Sequence, residues 1–208
     1  MNNMDKAILN AFPLVAVPTS EPLQGHTQCG TRYLVGKAGL MREITLPWIR
    51  LVHPVATCDA DITLPYGAVE SSVELWCSEV PAELIRQFTA DARKALPNEI
   101  AAALIWNSTI DEWRYAIRRS LRATPGYVSF EEVRLEDDEH MVVDIHSHGA
   151  FGAFFSGTDD RDDFGSMKFS VVLGNLDKPT PSSAIRLCMA GRYFPASINE
   201  LGVLGVVL

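Results

Sequence analysis

The chain is short of positive charge, of paired cysteines and of long apolar runs, and each shortage removes a class of function. In 208 residues, 18 lysines and arginines stand against 26 aspartates and glutamates, a net charge of −8. A protein held on nucleic acid by phosphate contacts needs the opposite balance, so no nucleic-acid partner is expected. Cys29, Cys58, Cys77 and Cys188 form no C-x-x-C pair. That leaves neither a zinc ribbon nor a thioredoxin-like motif, and reads as free thiols of a cytoplasmic protein. No uncharged apolar stretch approaches the ~20 residues that cross a bilayer, so no membrane partner is expected. The apolar run over residues 11–17 is interrupted by Pro13, stops at Pro18 and has no cleavage site after it, unlike a signal peptide. Repeats and low-complexity tracts are also missing. With 47% hydrophobic and 21% charged residues, what remains is an ordinary globular composition. It suits one domain of usual size and a smaller one.

What is present concentrates in residues 146–159. Met141, Val142, Val143, Asp144 and Ile145 read as a buried strand. Residues two apart on a strand share a face, so His146 and His148 can grip one metal ion while Ser147 points away. Gly149 ends the strand, and a loop of small and aromatic residues follows. Ser156 then caps a helix start, with Asp159 in its first turn, where an acid suits the positive helix end. Two histidines and a carboxylate make three ligands, the usual protein share of a catalytic zinc site, with the fourth position left to water. Zinc lowers the pKa of such a water from 15.7 to about 7.

Hydrolysis also needs a general base. Residues 81–96 read as an amphipathic helix, with Pro81 at its first position and a stripe of Leu84, Ile85, Phe88, Ala92 and Ala95. Pro97 and Asn98 end it. Glu99 then stands at the mouth of an apolar strand, residues 100–106, where poor solvation raises a carboxyl pKa.

This order and spacing resembles the JAMM (JAB/MPN-plus) metalloproteases: a helix, Leu96-Pro97-Asn98-Glu99 and an apolar strand, then H-x-H seven residues before S-x-x-D. The resemblance covers about 130 residues, a usual domain size. It implies an α/β, JAMM/MPN-like (cytidine-deaminase-like) fold over residues 78–208, a mixed curved sheet with flanking helices, beside a small, mostly β N-terminal region over residues 1–77. It implies zinc as cofactor, with His146, His148 and Asp159 as ligands, Glu99 as general acid/base, and Ser156 helping to stabilise the oxyanion. The family hydrolyses peptide or isopeptide bonds at the C-terminus of ubiquitin or ubiquitin-like proteins. The implied partners are therefore the tail of a ubiquitin-like (β-grasp) protein and a ThiF-type activating enzyme. The whole-chain layout is similar to that of proteins from plasmid-associated PRTRC cassettes, which also encode ThiF-like and ParB-like proteins. Gly149 departs from the proline that many members carry there, which is expected to loosen the loop. Residues 100–145 show no obvious long insertion of the kind that shapes ubiquitin binding.

Other features have plainer readings beside functional ones. S-x-x-D is also a capping signature. Asp160, Asp162 and Asp163 read as a solvated first turn rather than a second metal site, and Arg114, Arg118, Arg119 and Arg122 as a solvated strand face rather than a grip on an acidic partner. Phe151, Phe154 and Phe155 either line a groove or anchor the loop. Further strands are expected at 14–17, 31–35, 44–52, 73–76, 112–119, 127–135, 167–173, 184–189 and 203–208, with turns at 124–126 and 136–139. A zinc deaminase would need H-x-E and P-C-x-x-C, and neither is here. Two functions stay in competition, an active zinc peptidase or isopeptidase and a non-catalytic MPN-type binding or scaffold module.

Overall fold

The computed structural model describes residues 1–59, 61–118, 120–124, 127–131 and 133–208, with backbone alone over 120–124 and 127–130. The chain divides into two compact units, residues 1–76 and 77–207.

The first unit opens with α1 (Asn3–Ala11), followed by β1 (Leu14–Ala16), β2 (Gly30–Gly36), β3 (Gly39–Leu46), β4 (Ile49–Thr57) and β5 (Ser72–Leu75), one sheet in that order. The helix was not expected from the sequence. It has no buried residue and is started by a capping box between Asn2 and Asp5, so it lacks the buried stripe by which helices are read. The single run expected over 44–52 is instead two strands joined by a tight turn at Pro47 and Trp48.

One face of this sheet buries Leu34 and Val52 with Val17 and, partly, Met41. The same face carries a ladder of charges across four strands. Arg32 bonds Glu43, Glu43 accepts from Arg50 at 2.6 Å, and Arg50 reaches Glu74 at 2.5 Å. Glu43 is wholly buried. Burial pushes its carboxyl up, but hydrogen bonds from Arg32 and Arg50 more than reverse this and hold it below its ordinary value.

The second unit contains α2 (Ala82–Ala95), β6 (Ala101–Asn107), β7 (Glu112–Arg118), β8 (Ser120–Thr124), β9 (Tyr127–Phe130), β10 (Glu139–Ser147), α3 (Gly157–Asp163), β11 (Met167–Gly174), β12 (Ser182–Met189), β13 (Arg192–Ile198) and β14 (Leu204–Val206). Seven strands form a mixed sheet in the order β14-β13-β12-β11-β10-β6-β7, and β8 and β9 make a separate hairpin. The pair β10·β11 is parallel, with α3 in the crossover, and its neighbours are antiparallel. This is an α/β fold with helices on both faces. On the back face Phe88 and Ala92 of α2 are buried, and the Tyr115 hydroxyl donates to Asp91 of α2 at 3.3 Å. On the front face α3 meets β10, β11 and β12 through charged side chains. Strand β10 lies inside the sheet, and its burial alternates from Val143 to Ser147, which aims Asp144 and His146 forward and Val143, Ile145 and Ser147 back.

Several elements differ from the sequence reading. Pro81 is the N-cap of α2, one position before the helix. The strand expected over 127–135 stops at Phe130, and β13 had no expectation because its burial never exceeds half-buried positions. The strand expected to return from 127 pairs with β8 in a separate hairpin. The expected turn at 124–126 falls on Pro125 and Gly126, which lie outside the described residues. No helix among the described residues is long and apolar enough to cross a membrane.

The Glu43 ladder gives the first unit an acid sensitivity with a defined sign. A carboxyl held low in the fold contributes stability above its unfolded pKa, and that contribution is lost as pH falls through the lower folded value. The protection of the β3 and β4 amides, taken relative to the intrinsic exchange rate at each pH, is expected to fall on acidification below the usual carboxylate range. Glu43→Gln removes the anion between two arginines and is expected to cost about 3–5 kcal/mol near neutral pH, read by denaturant titration, and to flatten that acid response.

Candidate metal centre

Three elements bring the candidate ligands together. His146 ends the forward-facing series of β10, and its register partner in β6 is Ala101, whose small side chain leaves space in front of the ring. His148 lies one residue beyond the strand, its N–H held by the Leu173 carbonyl at 2.8 Å. Asp159 comes from the first turn of α3. His146 Nε2 is 3.2 Å from His148 Nε2 and 3.3 Å from Asp159 Oδ1, and all three ligand atoms lie within 4.8 Å of one another. Among the described residues this is the one such group. Two neutral imidazoles that turn bare nitrogens toward each other repel unless a cation lies between them. Burial lowers the pKa of both rings, which favours the neutral form, and the His148 ring bonds the Gly152 backbone. A tetrahedral zinc with bonds of 2.0–2.1 Å spaces its ligands by about 3.3 Å. The donor set therefore fits zinc in type and in its two shortest edges.

The Asp159 carboxylate is used on both oxygens. Oδ2 accepts from the Ser156 N–H at 2.6 Å and closes a capping box, while Oδ1 faces His146. Ser156 Oγ in turn accepts from the N–H groups of Thr158 and Asp159, each at 3.3 Å. A hydroxyl has two acceptor positions and one proton, so both acceptor positions are taken and the proton is left to donate elsewhere. The cap that the S-x-x-D pattern forms also leaves Asp159 Oδ1 facing His146, so the capping role does not exclude a ligand role.

Glu99 directly precedes β6. The Ser147 N–H donates to the Ile100 carbonyl at 2.9 Å, and Ser147 Oγ accepts from the Ile100 N–H at 3.0 Å. These bonds continue the register in which His146 faces Ala101, so Glu99 comes opposite His148 on the same face. Glu99 is 6% exposed, and its carboxyl is pushed up to about 7, by burial first and then by the Asp159 charge.

Behind the three ligands lies a chain of alternating charge that sequence reading passed over. Arg118 meets Asp144 at 3.1 Å, Asp144 meets Lys168 at 2.5 Å, Lys168 meets Asp163 at 3.0 Å, Asp163 meets Arg186 at 2.7 Å, and Arg186 meets Asp160 at 2.5 Å. This corrects two expectations. Asp163 is 3% exposed, not part of a solvated turn, because two cations pair with it. Arg118 and Arg114 are likewise engaged, Arg114 with Glu139. Arg119 and the side chain of Arg122 lie outside the described residues. The available signal was a charged residue inside an otherwise apolar strand: Asp144, Lys168 and Arg186 each interrupt one.

The loop between His148 and Ser156 is not loosened by Gly149. That residue has φ of +55°, its carbonyl accepts from the Leu176 N–H at 2.9 Å, and a Cβ there would meet the Pro97 carbonyl at 3.4 Å. Gly174 lets the loop approach still closer, since a Cβ on it would lie 2.3 Å from the Phe151 carbonyl. The phenylalanines divide the two expected roles. Phe155 stacks on the Arg186 guanidinium at 3.9 Å and anchors the loop. Phe154 packs edge-on against His148 at 4.7 Å yet is 54% exposed, so it faces outward beside the site, and Phe151 is 63% exposed.

Comparison with known proteins places this site in a family. Residues 81–188 match the model of prokaryotic homologs of the JAB domain, and the chain belongs to that family. Residues 2–76 match a domain of unknown function, DUF2016. The solution structure of protein DSY2949 from Desulfitobacterium hafniense is similar at 22% identity, over 60% of this chain and 86% of that one, with a TM-score of 0.40. No curated protein matches. JAB-type domains include metallohydrolases as well as modules without catalysis.

Two substitutions test the supports of the site. Proline fixes φ near −65°, so Gly149→Pro is expected to break the turn after His148 and abolish zinc binding, whereas Gly149→Asn, which tolerates positive φ, is expected to keep it. Lys168→Met leaves Asp144 and Asp163 facing each other. It is expected to cost about 3 kcal/mol in denaturant unfolding and to weaken zinc about tenfold in chelator competition.

Proposed function

We propose that the chain is a zinc-dependent peptidase or isopeptidase that hydrolyses the linkage at the C-terminus of a ubiquitin-like (β-grasp) protein. The observation that carries this reading is the convergence of His146, His148 and Asp159 within 4.8 Å, with buried Glu99 on the same face. A zinc ion held there supplies a water acidified to a pKa of about 7 and a positive charge for the scissile carbonyl. The chain's own groups supply the rest. Glu99, with its carboxyl raised to about 7, takes the water's proton near neutral pH and returns it to the departing amine. The Ser156 proton, which no backbone acceptor of its own cap claims, donates to the carbonyl oxygen as charge develops on it. Phe154 and Phe151 offer apolar contact to an extended tail beside the histidines. The proposed partners are the β-grasp protein whose tail is cut and a ThiF-type enzyme that activates such a tail. A PRTRC-type gene set is the proposed setting, and the cytoplasm the proposed site.

The test combines metal content with turnover. Purified full chain is expected to hold about one zinc, and the double variant His146→Ala, His148→Ala none. Glu99→Gln is expected to keep the zinc and to lose about 100-fold or more of the cleavage of a β-grasp protein bearing a C-terminal fluorogenic amide. Failure to take up added zinc sinks the hydrolase reading. Zinc without turnover on such tails favours a non-catalytic MPN-type module.

A further inference from the structure

Strands β12 and β13 part company at one end of the seven-stranded sheet. They pair only between residues 186–189 and 192–195. At Pro195, which has no N–H to give a ladder, β13 turns off, and residues 196–198 pair with β14 instead. Residues 182–185 of β12 are thus bound to β11 on one side and to no strand among the described residues on the other. A bare strand edge is a template for another strand.

A cavity of about 620 Å³ opens in this parting, on the face of the sheet away from His146. Aliphatic side chains, Ile85 of α2, Val171 and Leu173 of β11, Ile185 of β12 and Ile198, line it together with polar ones, Glu200 and Arg86 among them. That volume is in the range of ligand sites and far above the voids of a packed interior. Arg93 of α2 also lines it. Arg93 Nε donates to the Leu176 carbonyl at 3.2 Å, and Nη2 to the Lys178 and Pro179 carbonyls at 2.9 and 3.0 Å. Those acceptors carry no net charge, and no carboxylate among the described residues pairs with Arg93. A guanidinium has five N–H groups, so the two on Nη1 remain for a ligand.

We propose that this cleft binds an extended peptide bearing a carboxylate. The peptide adds as a strand along residues 182–185, drops alternate aliphatic side chains between α2 and the sheet, and sets its carboxylate on Arg93. The dimensions agree. Ile85 and Arg93 lie about 12 Å apart along the helix axis at 1.5 Å per residue, the reach of about four extended residues. The carboxylate is either a chain terminus or an Asp or Glu side chain. The site is on the opposite face from the histidines and does not depend on whether the metal centre is catalytic.

The experiment is selection on the full chain from two random heptapeptide libraries, one of free C-terminal acids and one of C-terminal amides. Peptides with alternating Val, Ile or Leu and one carboxylate are expected to emerge. Enrichment confined to the acids assigns the carboxylate to the chain end, and enrichment of Asp- or Glu-containing amides assigns it to a side chain. Bound peptide is expected to slow hydrogen exchange of the amides in residues 182–185. Ile85→Glu and, independently, Thr89→Trp, which fills the cleft without adding charge, are expected to weaken binding at least tenfold with thermal melting and zinc content unchanged. Arg93→Met is expected to remove the preference for a carboxylate. The proposal is overturned if neither library enriches, if bound peptides leave residues 182–185 exchanging as before, or if neither wall variant weakens them.

Discussion

The ammonium of Lys168 lies between Asp144 and Asp163, and through it the strand that carries His146 and leads into His148 is fastened to the helix carrying the third ligand. Burial works against that charge, and the two carboxylates more than restore it. The chain that extends from it, Arg118, Asp144, Lys168, Asp163, Arg186 and Asp160, alternates in sign and balances in charge. Buried pairs of this kind add little net stability compared with apolar packing, because desolvation offsets most of the attraction. What they fix is geometry. An apolar contact between α3 and the sheet could slide by a fraction of a turn, whereas Asp163, held by Lys168 on β11 and Arg186 on β12, cannot. Asp159 sits one turn earlier on the same helix, so its Oδ1 is aimed at His146 by a contact four residues away.

Close backbone approach is the second constraint. The loop after His148 is pressed onto the end of β11, where Gly174 leaves no space for a Cβ. It is held by bonds from Asn175 N–H to the Phe151 carbonyl at 2.6 Å and from Ala153 N–H to Ser182 Oγ at 3.0 Å. Gly149 begins this loop in a backbone conformation closed to proline. The glycine is therefore a different solution to rigidity from a proline at that place, with hydrogen bonds from β11 and the following turn supplying what ring closure would supply elsewhere.

The sequence made the site more legible than the frame around it. His146, His148 and Asp159 could be singled out because strand alternation and helix capping are local rules, although the distance from the histidines to Asp159 is set by the ion chain that fastens α3 to the sheet. Glu99 could be reached only through resemblance. Its place opposite His148 depends on the antiparallel register of β6 with β10, and nothing local to Glu99 reports that register. The ion chain was misread for the same reason. Asp163 and Arg118 look like solvated charges within their own segments, and their burial is decided by partners 5 to 26 residues away. In the first unit, α1 escaped notice because it buries nothing, and the β3–β4 turn because Pro47 and Trp48 interrupt an apolar run too briefly to look like a boundary.

The two faces of the larger sheet are joined at Ser182. This residue begins β12 and so belongs to the edge that β13 leaves bare. Its hydroxyl also accepts from Ala153 in the loop after His148 and from the Asn175 side chain, each at 3.0 Å. Backbone at an unpaired edge is held on one side only, and its order is correspondingly lower. A strand added along residues 182–185 would hold the other side and narrow the positions available to Ser182, and with it to Ala153. Linkage makes any such effect mutual: if an added strand steadies the loop that presents His148, then a metal that steadies the same loop tightens the strand. The Ser182 hydroxyl, accepting from both Ala153 and Asn175, thus ties the bare edge of β12 to the loop after His148.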